Sequence, residues 1–303
     1  MSMRVATFAM NDRMLAASLK TQARMADMQM QQATGQVSTT LGGYGADSRT
    51  LVNLEISLAR SQSYSASSKE ASGRVEVMYS TMDTINDVLS SFRSALVAIK
   101  STDASDETQA ALSSTAKVNL EELATLLNTQ YEGRYLFGGS ATTTLPVDLS
   151  AYEITAADTA NTAYYQGNST LATVQVSSEQ SVSYGVSASD SAFEKAFRAF
   201  SIIADAGGKL TDETIDAALD LIVEAIDGAA GVQGVLSVNA ATLERSQARE
   251  EEYQSLLSAS LSEVRDADVT AITVKLTAYE TQLQASYAAL AKIQGINLLD
   301  YLS

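Results

Sequence analysis

The chain has no cysteine, no histidine, no tryptophan and a single proline, Pro146, in 303 residues. Average usage near 5% would place about 15 prolines in such a chain. Without His or Cys, neither a Ser-His-Asp nor a Cys-His nucleophile can be built, nor a zinc site of the usual nitrogen and sulfur ligands. Carboxylate, Tyr, Ser and Lys chemistry is all that remains, and no catalytic residue, cofactor site or metal site is expected. The lack of Cys also removes any disulfide, whichever compartment the chain occupies. Positive charge is scarce: 20 basic side chains face 36 acidic ones, a net charge of -16. That balance argues against a nucleic-acid or anionic-membrane partner. No uncharged apolar stretch is expected to approach the ~18 residues needed to span a bilayer. The opening residues are interrupted by Asp12 and Arg13 and do not read as a secretory signal, so export without a cleaved signal peptide is the expectation.

What the chain has instead is a supply of Ala, Leu, Gln, Glu and Met with almost nothing to interrupt a helix. Val75, Met78, Met82, Ile85, Leu89, Phe92, Leu96 and Ile99 step by three and four without a failure, which is a heptad seam. Backwards in the same register lie Leu54, Ser57, Ser61, Tyr64, Ser68 and Ala71, smaller and more polar but unbroken by Pro. One helix from about Asp47 to Lys100 is predicted, roughly 80 Å long at 1.5 Å per residue, a length suited to a rod. Thr102, Asp103, Ser105 and Asp106 supply turn and N-cap chemistry, and a second helix carrying Leu112, Leu120, Leu123, Leu126 and Leu127 is predicted to about Tyr131.

From Gly133 to about Ser189 the pattern changes to Gly138, Gly139, Pro146, Gly167 and Gly185 with alternating runs at 173–176 and 181–184, which reads as a small β insertion. Phe193, Phe197 and Phe200 mark a short amphipathic helix that stops at Gly207-Gly208. A helix is predicted for Thr211 to Asp227, and a further long one from about Val232. The phase then shifts at Arg265-Asp266-Ala267-Asp268, and a fresh seam runs through Val269, Ile272, Leu276, Tyr279, Leu283, Ser286, Leu290 and Ile293. The last residues, with Leu298, Leu299 and Leu302, are unusually apolar for an exposed end. At the other end Met14, Leu15, Leu19, Met25 and Met28 interleave with Gln22, Gln29 and Gln32. Both ends are therefore amphipathic helices that need a partner: each other, or the same segment of a neighbouring subunit. Charge fits this layout, since residues 1–36 carry a net +2 while residues 141–230 carry three basic against thirteen acidic side chains, a net of -10.

The fold class that follows is mainly α: a long antiparallel helical rod with terminal coiled-coil helices and a small β insertion. Expected boundaries are an N-terminal assembly helix at 1–45, rod helices at 46–140 and 190–267, the β insertion at 141–189 and a C-terminal assembly helix at 268–303.

This plan resembles the flagellin superfamily. Leu261-Ser262-Glu263-Val264-Arg265-Asp266-Ala267-Asp268, followed by Thr281-Gln282-Leu283-Gln284-Ala285-Ser286, is similar to the family's C-terminal DAD segment and the element after it. Met3-Arg4-Val5 and Ala33-Thr34-Gly35 are similar to its N-terminal signatures. Tyr135-Leu136-Phe137-Gly138-Gly139-Ser140, Tyr164-Tyr165-Gln166-Gly167-Asn168-Ser169 and Leu298-Leu299-Asp300-Tyr301-Leu302 are more similar to its hook-filament junction branch than to filament flagellins. The S-D-D-P-A segment of many members is replaced here by Gly42-Gly43-Tyr44-Gly45-Ala46-Asp47.

The resemblance implies a non-enzymatic, extracellular subunit of the bacterial flagellum, exported through the type III channel with both ends unfolded and ordered on arrival. It implies self-association into a ring or short helical layer, contact with a neighbouring hook-associated protein and flagellin, and an export chaperone in the cytosol at the C-terminal helix. A flagellin forming the filament itself is the alternative; an enzyme carried on the insertion, or a coiled-coil secretion-tip protein or adhesin, fits less of the chain. For the Val75 to Ile99 seam ordinary intramolecular core is preferred. The Val269 to Ile293 seam is read as mixed, packing on the N-terminal helix and lining a layer between subunits. Asp266 and Asp268 do not face each other at i and i+2 on a helix, so capping or inter-helix pairing is expected rather than metal binding. Gly138-Gly139 lacks a following Lys-Ser/Thr and reads as a turn, not a phosphate loop.

Overall fold

The heptad seam that begins at Val75 is the spine of the central unit. The computed structural model describes residues 2–101, 105–153 and 156–302, with the side chains of 2–9, 11, 151 and 293–302 outside that description. Thr102 and Asp103 lie outside the described residues. The helices are α1 (Ser2–Thr34), α2 (Ser48–Lys100), α3 (Asp106–Leu127), α4 (Ser191–Asp205), α5 (Asp212–Arg265) and α6 (Val269–Leu302). Two antiparallel hairpins complete the chain: β1 (Gln130–Tyr131) with β2 (Arg134–Tyr135), and β3 (Ala172–Gln175) with β4 (Ser181–Tyr184). The fold is mainly α with a small β insertion. It divides into two compact units, one of Met1–Arg60 with Gln254–Ser303, the other of Ser61–Tyr253.

In the Ser61–Tyr253 unit every seam position of α2 from Ala71 to Ile99 is buried. Three side-chain bonds tie α2 to α5 in antiparallel order: Ser61 donates to Glu250, Gln233 to Asp83, and Lys100 pairs with Asp216. α3 packs on α4, and Ser105 caps α3 by accepting from Thr108 N. Aromatic rings fill the centre: Phe92 meets Phe200 edge-on at 4.9 Å between centroids, and Tyr164 meets Phe197 at 4.3 Å.

The insertion is fastened to this core. Glu194 and Arg198 on α4 form a buried ion pair at 3.0 Å; Asn161 N donates to Glu194 and Arg198 donates to Ala157 O, so the pair holds the preceding loop against the helix. Pairing of this kind is what makes two buried charges tolerable. Two of the motifs singled out above, Tyr135–Ser140 and Tyr164–Ser169, meet here. Asn168 Oδ1 accepts from Ser140 N at 3.0 Å, Tyr165 donates to Asn168 O, and Tyr164 donates to Ala188 O while Ala188 N donates to Phe137 O. Burial raises the Tyr164 pKa, so this phenol stays a donor. Gly139 sits at φ +69, and a side chain there would collide with the Asn168 carbonyl, which explains glycine at that turn.

Two expectations need correction. The helix predicted to run to Tyr131 stops at Leu127, because Glu132 and Gly133 adopt positive φ and close the two-residue β1–β2 hairpin. The separate helices predicted at Thr211–Asp227 and from about Val232 are one 54-residue helix, α5. Gly228, Gly231 and Gly234 each weaken a helix by about 1 kcal/mol, but Ala225, Ala229, Val232 and Leu236 continue the buried face through them. The sixteen uncharged residues 228–243 also come nearer to a bilayer span than the composition suggested, and α5 is by composition the one described helix that passes for one. Its inward face is nevertheless core.

The α2 seam weakens where it turns to serine. Ser61, Ser68 and Ser246 are buried, and the Ser68 hydroxyl has no partner. A buried polar group left unsatisfied costs about 1–3 kcal/mol. Ser68→Ala is expected to raise the stability of the chain by about 1 kcal/mol, read as a higher denaturant midpoint, whereas Val75→Ala lowers it; a fall with Ser68→Ala contradicts this reading of the seam.

Candidate assembly interface

The unit formed by residues 1–60 and 254–303 contains the two terminal helices, and α1 packs against α6. Their side-chain bonds fix an antiparallel arrangement: Gln22 Nε2 donates to Tyr287 Oη, and Gln32 Nε2 donates to Thr273 Oγ1 at 3.1 Å. On α6 the seam is as the spacing requires. Ile272, Leu276 and Leu283 are each 7% exposed, and Tyr279, Ser286 and Leu290 are half-buried. On α1, Met14, Thr21, Met25 and Met28 are half-buried and Ser18 is buried, so this helix supplies a thinner, partly polar seam.

Two of the candidate residues fall off the seam. Val269, in the first turn of α6, is exposed, and Leu15 is exposed beside Leu19 on the side of α1 away from the α6 contact. Ile293, Leu298, Leu299 and Leu302 lie outside the residues whose side chains are described.

The end of α1 and the start of α6 are joined through the backbone. Gly35, at φ +70, ends α1 by donating to Gln31 O, the left-handed geometry that favours glycine after a helix. Gln36 then pairs with Asp266 as a short antiparallel bridge, in which Val37 N donates to Arg265 O and Ala267 N donates to Gly35 O, both at 2.8 Å. Gln31 adds a side-chain bond to Val37 O at 2.8 Å. The Ala33–Gly35 and Arg265–Asp268 motifs are thus two halves of one clasp. Asp268 caps α6 by accepting from Ala271 N at 2.9 Å. Arg265, donating at 2.9 Å, and Ser262 hold the Asp266 carboxyl below the usual carboxylate range. That contact stabilises the clasp above the ordinary carboxylate pKa and is lost as pH falls through the lowered value. Among the described residues no cluster of three or more metal-ligating side chains is present.

The covering of α6 is one-sided. From Val269 to Ala291 it carries two charges, Lys275 and Glu280, so its circumference is uncharged nearly all round, yet only the stripe facing α1 is buried. Val274 stands 68% exposed on α6, Tyr287 is also exposed, and on α1 Met10, Leu15, Leu19 and Met30 are more than half exposed. The other exposed positions are mostly Thr, Gln and Ala, so Val274 and Tyr287 are the large apolar side chains that α1 leaves uncovered on α6. The seam periodicity did not flag Val274 and Tyr287, which lie outside it; the scarcity of charge along α6 was the available signal.

The profile of the bacterial flagellin N-terminal helical region matches residues 5–142, and that of the bacterial flagellin C-terminal helical region matches residues 219–302. Similar solved structures include a putative flagellar hook-associated protein from Vibrio parahaemolyticus, 17% identical, with a TM-score of 0.62 over 72% of this chain and 97% of that one. Another is FlgL from Bacillus cereus, 15% identical, with a TM-score of 0.55 over 70% of this chain and 98% of that one. At these identities the likeness is one of fold. No curated protein sequence matches.

Loss of the Asp268 cap should cost about 1 kcal/mol. Asp268→Ala is expected to lower the thermal stability of the helical signal by that amount while Asp268→Asn retains most of it; equal losses would show that the capping bond is not what Asp268 contributes.

Proposed function

This chain belongs to the bacterial flagellin family, and we propose that within the flagellum it is a self-assembling structural subunit that joins hook to filament. It is a structural protein, not an enzyme, and the observation that carries the assembly role is α6: a helix uncharged nearly all round, covered on one stripe only. Neighbouring subunits supply the missing cover, through a ring or short helical layer in which segments 1–45 and 268–303 are the assembly helices.

The junction role, as against a filament flagellin, is supported by likeness to a hook-associated protein and to FlgL, and by the Tyr135–Ser140 and Tyr164–Ser169 motifs that pack together. In the assembled organelle its neighbours are a second hook-associated protein on one side and flagellin on the other. In the cytosol the apolar C-terminal segment with Leu298, Leu299 and Leu302 is covered by an export chaperone, and the chain travels with its ends unfolded. The sequence suits such passage. It has no Cys to mispair and one Pro to isomerise, and its helices form through local contacts.

Immunogold labelling of intact cells tests the role. Label confined to the distal end of the hook is expected. Label along the filament, or long fibres formed by the purified protein alone, would replace the junction reading with the filament one. In the same cells Leu283→Asp, which puts a charge into the α1–α6 seam, is expected to abolish that label while the central unit of the purified variant still melts cooperatively. Truncation after Gly295 is expected to lose capture of the chaperone, and retained capture would remove that partner.

A further inference from the structure

We propose that Met14, Met25 and Met28 on α1 form an oxidation site, at which hydrogen peroxide uncouples α1 from α6 while the Ser61–Tyr253 unit stays intact.

Seven of the nine methionines stand in the first 30 residues, and the other two are Met78 and Met82 on α2. Among the described side chains of α1, those that are not exposed are Met14, Ser18, Thr21, Met25, Met28 and Gln31. They step by three and four and so share one face of the helix. Every apolar member of that face is a thioether, because Leu15 and Leu19 stand exposed elsewhere on α1. Its two hydroxyls add nothing across the contact, since Ser18 donates to Met14 O and Thr21 to Ala17 O of their own helix.

The face is covered by α6. Between the Gln22–Tyr287 and Gln32–Thr273 bonds, the antiparallel register sets Met25 and Met28 opposite the stretch from Leu276 to Leu283. A thioether fills such a contact as a flexible apolar group. In the oxidation a sulfur lone pair attacks one peroxide oxygen, the O–O bond breaks and an S–O bond forms. The sulfur loses two electrons and becomes a sulfoxide, and the other oxygen leaves as water after taking up the proton. A sulfoxide is a strong acceptor, and the Ile272, Leu276 and Leu283 side chains offer it no donor. It therefore turns to water, and α1 loses the whole apolar part of its contact with α6.

Exposure decides which sulfurs react. Met10 and Met30 are 59% and 57% exposed, so their oxidation alters no covered surface. The three seam methionines are half-buried and within reach of solvent. Met78 and Met82, at 2% and 0%, are enclosed in the core of the central unit. The two units of one chain thus differ in their sensitivity to oxidant. Any consequence for assembly rests on the reading of α1 and α6 as assembly helices; the oxidation and the unpairing do not.

The test uses the full-length chain in hydrogen peroxide, with each methionine followed by peptide mass spectrometry and amide exchange measured at residues 269–292 and 75–99. Met14, Met25 and Met28 are expected to oxidise after Met10 and Met30, yet at least about tenfold faster than Met78 and Met82. Exchange at 269–292 accelerates as they do, and exchange at 75–99 stays unchanged. Methionine sulfoxide reductases for both epimers, with dithiothreitol, are expected to reverse the effect; the chain has no cysteine for the thiol to act on. Combining Met14→Leu, Met25→Leu and Met28→Leu keeps the apolar volume and should make exchange at 269–292 indifferent to peroxide, whereas Met10→Leu with Met30→Leu should leave it as sensitive as before. The proposal is overturned if the seam methionines oxidise without faster exchange at 269–292, if Met78 and Met82 oxidise as fast as they do, or if the triple variant stays sensitive. None of these readouts involves the hook or the filament, so the labelling experiment and this one can fail separately.

Discussion

Large apolar side chains on a helix face that carries almost no charge favour a covering surface, and α6, packed on α1, leaves such side chains in solvent. The stripe of Ile272, Leu276 and Leu283 is satisfied by α1; the exposed sides with Val274 and Tyr287 are not. α1 has the same difficulty in milder form, with Leu15, Leu19 and Met30 in solvent. Single exposed apolar residues are ordinary on protein surfaces. What distinguishes this unit is that charge, which keeps such surfaces apart, is missing along α6 as well. Along α6, large apolar side chains therefore stand in solvent with little charge beside them.

The Ser61–Tyr253 unit is built the other way. Its core is continuous from Ala71 and Val75 through Ile99 on α2, across the phenylalanines of α4, to Leu236 and Leu243 on α5, and the insertion is pinned to it by a buried ion pair and by the two meeting glycine-turn motifs. Acidic side chains are concentrated in its outward positions, where they keep it soluble. The larger core thus lies in this unit, and in the other the clasp between Gly35–Val37 and Arg265–Ala267 holds α1 and α6 in register.

Much of this is legible in the sequence because helical periodicity is strong where one stripe is buried. The Val75–Ile99 seam, its serine-rich continuation, the stop at Gly207-Gly208, the phase shift at Arg265–Asp268 and the 173–176 and 181–184 strands all follow from spacing. The failures have equally local causes. Gly228, Gly231 and Gly234 look like a break because propensity is read residue by residue, while the helix is held by the buried positions between them. The β1–β2 hairpin was hidden behind a leucine-rich helix, because only Gly133 of its turn is a residue that favours positive φ, while Glu132, also at positive φ, is not. Val269 opens the α6 seam by spacing and Leu15 was named for its apolar side chain; both are exposed within the chain, so neither packs in the α1–α6 seam. The cross-links from Gln22 and Gln32 could not be read in advance, since a glutamine in a seam carries no signal of its partner.

The central claim is that the α1–α6 unit is completed by other subunits, not by its own chain, and amide hydrogen exchange measured on the monomer and on the assembled form tests it most directly. The account predicts that residues 269–292 exchange much faster than residues 75–99 in the monomer and become comparably protected on assembly. Equal protection of the two segments in the monomer would contradict it.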